Sequence, residues 1–259
     1  MIRWPFVLTM VFGIFLLLPE RTGAQGLVTS ISSDIVSIES NFTGTEIVIF
    51  GQVVRNARTV DRRGKYDLAI IVEGPKQNIT TRRKGRFLGV WVNREHEVFQ
   101  DVPSFYAIST TRHVTEMGDR PLLVEHEIGL NHLHLAVTGG SRLPLSERDD
   151  FRHAFIRLRV AQGLYSERSD SIEFLTDTMF RTTVPLPADI PVGMYTVKSF
   201  LLQDGALLSK TEEKLAVAKT GFEQFTFDMA RNHAAIYGIV AVLLAMFTGW
   251  LAGVIFRKD

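Results

Sequence analysis

Three histidines stand close together in the middle of the chain, His126, His132 and His134, with Glu125 and Glu127 flanking the first. Imidazole nitrogens and carboxylates are common ligands of zinc and copper ions. In an extended segment His132 and His134 project to one face while Leu133 and Leu135 take the other. Two imidazoles so placed, with His126 or a glutamate as third ligand, would hold a metal. The same pattern also describes the solvated face of a half-buried strand. His96, between Glu95 and Glu97, offers similar chemistry with fewer ligands.

A second concentration is one of charge. Between Arg55 and Arg86 ten basic residues face three acidic ones, a net +7. Arg62, Arg63, Arg82, Arg83, Lys84 and Arg86 are its densest part. Gathered on one side of a fold, they would bind an anionic ligand or an anionic lipid surface. Spread over two solvated loops, at 55–65 and 76–86, they would instead keep edge strands apart. The chain as a whole carries only +1, so no global field argues for a partner, and nothing points to nucleic acid. There is no GxSxG elbow, HExxH helix, phosphate loop or GxGxxG turn. Cysteine is absent, which excludes thiol catalysis, thiolate metal sites and lipoprotein-type acylation. The expectation is a non-enzymatic protein with no cofactor. A hydrolase with a site assembled only in space is the remaining enzyme reading.

The elements that would position these residues are mostly strands. Residues 27–55 alternate at period two, with β-branched residues and Gly44 and Gly51 as punctuation. Strands are predicted near 34–39, 45–54, 66–72 and 87–92. A further extended run covers 98–109, with Pro103 marking an edge or bulge. Helix signals dominate about 115–180. Ser146 is a candidate cap, and Phe151, Ala154, Phe155, Leu158 and Ala161 form a stripe that Gly163 closes, predicting a helix over 147–162. Strand grammar returns near 181. Asp204-Gly205 signals a type I′ hairpin between strands reaching from Gly193 to about Val217. Asp189 to Tyr195 resembles the corner of immunoglobulin-like sandwiches at which a tyrosine hydroxyl closes onto backbone. The fold class expected is mainly β: an immunoglobulin-like β-sandwich over residues 25–217 with a helical insertion, plus one C-terminal transmembrane helix.

Both ends of the chain speak of membranes. Residues 1–24 combine Arg3, an apolar run from Pro5 to Leu18 and the small-residue site Thr22-Gly23-Ala24, the layout of a signal peptide. An uncleaved N-terminal anchor is the alternative. Near the other end, AAIYGIVAVLLAMFTGWLAGVIF runs uncharged from Ala234 to Phe256, long enough at ~35 Å to cross a hydrocarbon core. A linker over 218–233, with Phe222, Phe225 and Phe227 alternating with polar residues, joins it to the domain. Ala241, Ala245, Gly249 and Gly253 recur every four residues. Such a ridge lets a second helix approach closely, either another membrane protein or a second copy. Tyr237 and Trp250 are candidate interface anchors. Lys219 and Arg231 balance Arg257 and Lys258 across the span, so the export signal fixes the orientation, leaving 257–259 in the cytoplasm.

Four stretches carry a family resemblance: GVWVNREHEVFQDVPSFYAISTTR at 89–112, FRTTVPLPADIPVGMYTV at 180–197, KTGFEQF at 219–225 and YGIVAVLLAMFTGWLAGVIFRKD from 237. With these, the chain resembles the alphaproteobacterial putative transmembrane protein family. The resemblance implies an exported, C-terminally anchored protein of the Gram-negative inner membrane with a periplasmic domain. It also implies an association with permeases resembling sulfite exporters. It supplies no catalytic residues.

Overall fold

The computed structural model describes residues 26–38, 43–54, 66–138, 143–219 and 222–255. The expected signal peptide and cytoplasmic tail, and Arg62 and Arg63, lie outside these residues.

Among the described residues thirteen strands fall into three sheets. Strands β1 (Leu27–Ile31), β3 (Thr45–Val53), β11 (Met179–Leu186) and β10 (Ile172–Phe174) form a four-stranded antiparallel sheet in that order. A six-stranded sheet runs β2 (Ile35–Ile38), β13 (Ala206–Lys219), β12 (Gly193–Gln203), β4 (Asp67–Glu73), β7 (Tyr106–Thr110) and β9 (Tyr165–Arg168). Its interior pairs are antiparallel, but each edge carries a parallel strand, β2 on β13 and β9 on β7. The third sheet is the long hairpin β5 (Lys76–Phe87) and β6 (Val90–Pro103), with two-residue β8 (Ala136–Val137) on its flank.

The burial patterns explain the layering. In β1 and β11 every second residue is buried, as one-sided sheets require. In β4 all seven residues are buried, and in β7 all five, so the six-stranded sheet is covered on both faces. One face shares a single core with the four-stranded sheet, from Ile47, Ile49 and Phe180 to Leu215 and Val217, and Thr29 Oγ1 meets Thr211 Oγ1 at 2.9 Å. The other face lies under α1 (Arg120–Glu125) and its neighbouring turns, through Val114, Met117, Leu123 and Ile128. The His126 ring packs 5.5 Å from that of Phe200. The molecule is mainly β, as expected. The 115–180 stretch is not purely a helical excursion, since it also supplies β8, β9 and β10.

Helix α2 (Leu145–Ala161) starts two residues earlier than predicted. Pro144, not Ser146, occupies the cap position and makes no side-chain cap bond. Its end follows expectation. Gly163 has φ +72°, its N–H donates to Val160 O, and the N–H of Leu164 donates to Arg159 O, the paired bonds of a Schellman ending. Phe151 and Phe155 are buried, but Leu158 is half exposed at 51%, so the core stripe is narrower than the spacing implied.

The β5–β6 hairpin is not an independent unit at its base. Glu73 pairs with Tyr106 in the large sheet. Gly74 N–H donates to Phe105 O, Ser104 N–H donates to Pro75 O, and Lys76 pairs with Pro103. The register therefore passes without a break from β4–β7 into β5–β6, making one ribbon. Pro75, which lacks an N–H, sits at the junction and leaves the ladder intact. The strand predicted at 87–92 is instead the end of this ribbon. Leu88 and Gly89 have φ +48° and +87°, two consecutive positive values, as a type I′ turn requires.

Candidate functional sites

The C-terminal helix, α4, spans Ala234–Ile255, 22 residues, with mean hydropathy 2.2 and none of its apolar window buried. Thr248 Oγ1 donates into its own helix, to Leu244 O and Ala245 O at 2.9 and 3.0 Å. In a helix that crosses lipid, such bonds would remove the cost of a free hydroxyl. A Cβ built on Gly249 or Gly253 would meet nothing within 4 Å, so the small-residue ridge with Ala241 and Ala245 is an open groove. Trp250 and Tyr237 are exposed. Ahead of it, the expected linker over 218–233 contains a helix, α3 (Phe222–Asn232).

The histidines are placed differently from the extended pattern. Gly129, at φ +100°, turns the chain, and Leu130–His132 form a 3-10 turn, so His132 and His134 do not alternate along a strand. His132 Nδ1 lies 2.6 Å from Ile128 O, and His126 is stacked near Phe200. The N–H of His134 donates to Glu127 Oε1 at 3.0 Å. Among the described residues no three His, Asp or Glu side chains are gathered as a metal would need.

The region instead contains a set of buried tyrosines, which spacing did not single out. Tyr106 Oη donates to Glu127 O at 2.7 Å and accepts from Gly129 N–H at 3.0 Å. Tyr165 Oη donates to Pro103 O at 2.6 Å. Tyr195 Oη donates to Pro191 O, four residues back, at 2.6 Å, the backbone closure expected for that corner. Burial pushes all three hydroxyls above their ordinary value of 10. These groups lock loops to strands.

The basic residues of the hairpin divide by face, because side chains alternate along β5. Arg83 points toward α2. Its Nε donates to Glu95 at 2.6 Å, its Nη2 pairs with Glu147 at 2.6 Å, and its guanidinium lies 5.4 Å from the Phe151 ring centre. The two carboxylates hold the guanidinium pKa above its ordinary value. Arg83 is thus a structural cation. Arg82, Lys84 and Arg86 share the opposite face. Their cross-strand partners are His96, Asn93 and Trp91, with no acid among them. Among the described residues no carboxylate lies within ion-pair distance of these three. At the end of the ribbon Phe87, Val90 and Trp91 are 60–66% exposed and Leu88 is 89% exposed. A leucine in the left-handed region costs about 1 kcal/mol relative to glycine, and here that cost is not offset by burial.

These features define a β-rich protein with, among the described residues, one helix fit to cross a bilayer. The chain belongs to the family described as putative transmembrane protein (Alph_Pro_TM), whose model matches residues 26–258. A search of curated proteins gave no match.

Proposed function

We propose that this is a non-enzymatic accessory protein of the bacterial inner membrane, anchored once by α4, with its sandwich in the periplasm and its C-terminus in the cytoplasm. The observation that carries the reading is the unburied α4 with its open ridge at Ala241, Ala245, Gly249 and Gly253. In lipid, close backbone approach over small residues is a main source of helix association. The partner is an integral membrane protein such as a permease, with self-association as the competing use of the same ridge. The sandwich is read as immunoglobulin-like on the strength of the Tyr195–Pro191 closure. The buried polar groups described above hold structure, which supports a scaffold over a catalyst.

The test is a mild-detergent pull-down of the full-length protein from its native membrane, beside the double variant Gly249→Leu/Gly253→Leu. The expected result is a stoichiometric membrane protein with the unmodified chain and its loss with the variant. Equal recovery by both would reject the ridge as the docking face. Recovery of this chain alone would reject the accessory role.

A further inference from the structure

The β5–β6 hairpin ends in an apolar tip that folding does not account for. Phe87, Leu88, Val90 and Trp91 face solvent, and the most exposed of them occupies a turn position, φ +48°, that asparagine or glycine would fill with less strain. Contiguous exposed apolar surface of this kind marks contact with a partner or a membrane.

Three observations identify which. The first is charge. Directly behind the tip, Arg82, Lys84 and Arg86 line one face without a carboxylate between them, which complements anionic headgroups. Trp91 shares that face with Arg86, and tryptophan favours the headgroup level of bilayers.

The second is position. β13 leaves the six-stranded sheet toward α4 at the end where Val217 pairs with Gly193. Gly193 abuts Pro75, whose side chain lies 2.9 Å from where a Cβ would sit. Pro75 is where the ribbon leaves the same sheet. The hairpin and the membrane tether therefore depart from one end of the domain.

The third is reach. The twelve residues of β5 extend roughly 40 Å, whereas the eleven residues of α3 rise only about 16 Å.

We propose that the hairpin tip is a second membrane contact. Phe87, Leu88 and Trp91 enter the interfacial layer of the bilayer that holds α4, and Arg82, Lys84 and Arg86 bind its anionic headgroups. The domain would then be held at two points, and its orientation to the membrane fixed. This rests on the anchoring by α4 but not on helix docking.

The chain has no cysteine, so Leu88→Cys in the full-length protein provides a single labelling site on an exposed residue. The labelled protein is reconstituted in phosphatidylcholine vesicles with and without phosphatidylglycerol. With phosphatidylglycerol, an environment-sensitive fluorophore at this site should shift to the blue, be quenched by nitroxide-labelled lipid and be shielded from aqueous iodide. The same label at Thr80→Cys, lower on the exposed arm, should stay accessible. Omitting phosphatidylglycerol, or adding Arg82→Gln/Lys84→Gln/Arg86→Gln, should reduce the lipid quenching severalfold. Gly249→Leu/Gly253→Leu should leave it unchanged. Free iodide access at position 88 in anionic vesicles would overturn the proposal. So would a label shielded from iodide yet untouched by nitroxide lipid, which would mean a protein contact, such as a second copy.

Discussion

Lys198 Nζ donates to both carboxylate oxygens of Glu73, at 2.8 and 2.7 Å, with the lysine side chain 19% and the glutamate 8% exposed. The pair links β12 to β4 across 125 residues, and nothing in either local sequence announces it. Lys198→Met should destabilise the protein by about 3–5 kcal/mol, because it leaves a buried carboxylate without its partner. Replacing both, as Glu73→Leu/Lys198→Met, should recover most of that loss. Urea unfolding of the detergent-solubilised protein measures both. The histidines teach the converse lesson. Their type and spacing suggested ligands, but Gly129 rotates the chain between them, and that rotation is not encoded in a period of two. Tyr195 was legible because its hydroxyl closes onto backbone only four residues away.

Among the elements, turn chemistry decided what could be read in advance. Asp204-Gly205 was recognisable as a hairpin because both residues suit positive φ, and they adopt +52° and +77°. The Leu88-Gly89 turn has the same backbone signs but begins with a leucine inside an apolar run, which reads as strand. A local rule is broken there, and such breaks cluster where function overrides folding. Leu88→Asn should relieve about 1 kcal/mol of strain and slow amide exchange across 84–93 about fivefold, by mass spectrometry. It should also weaken lipid contact, so stability and function would move in opposite directions. The helices were less legible. α2 ends where its glycine predicted, but its start lacks a capping side chain, and α3 lies in a stretch read only as a linker.

For the molecule as a whole, the mainly-β class and the apolar helix were readable from periodicity and composition, but the sheet order was not. Parallel edge strands and a ribbon leaving the sheet depend on contacts far apart in sequence. The three buried tyrosines tie these parts together, and desolvation raises each hydroxyl above its ordinary value of 10. For a raised value, the contribution to stability is complete below the unfolded value and is lost as pH rises toward the folded one. The thermal midpoint should therefore hold near about pH 8 and fall steeply above about pH 10. Tyr165→Phe should lower stability by about 1 kcal/mol at the lower pH, through the lost bond to Pro103, and flatten the alkaline fall. Midpoints of the two proteins at both pH values check this.

The parallel pairing of Ile35–Ile38 with Ala216–Lys219 also sets a timetable. An early strand of the domain finds its neighbour only when the last strand has been made, and contacts so distant in sequence form late. That last strand ends at Lys219, shortly before the apolar helix begins at Ala234. During synthesis, completion of the sheet and emergence of the apolar helix are thus nearly simultaneous. A chain cut short just upstream of β13 would lack both the partner of β2 and the apolar helix, and its unfinished sheet is a state that a protease should tell apart from the finished one.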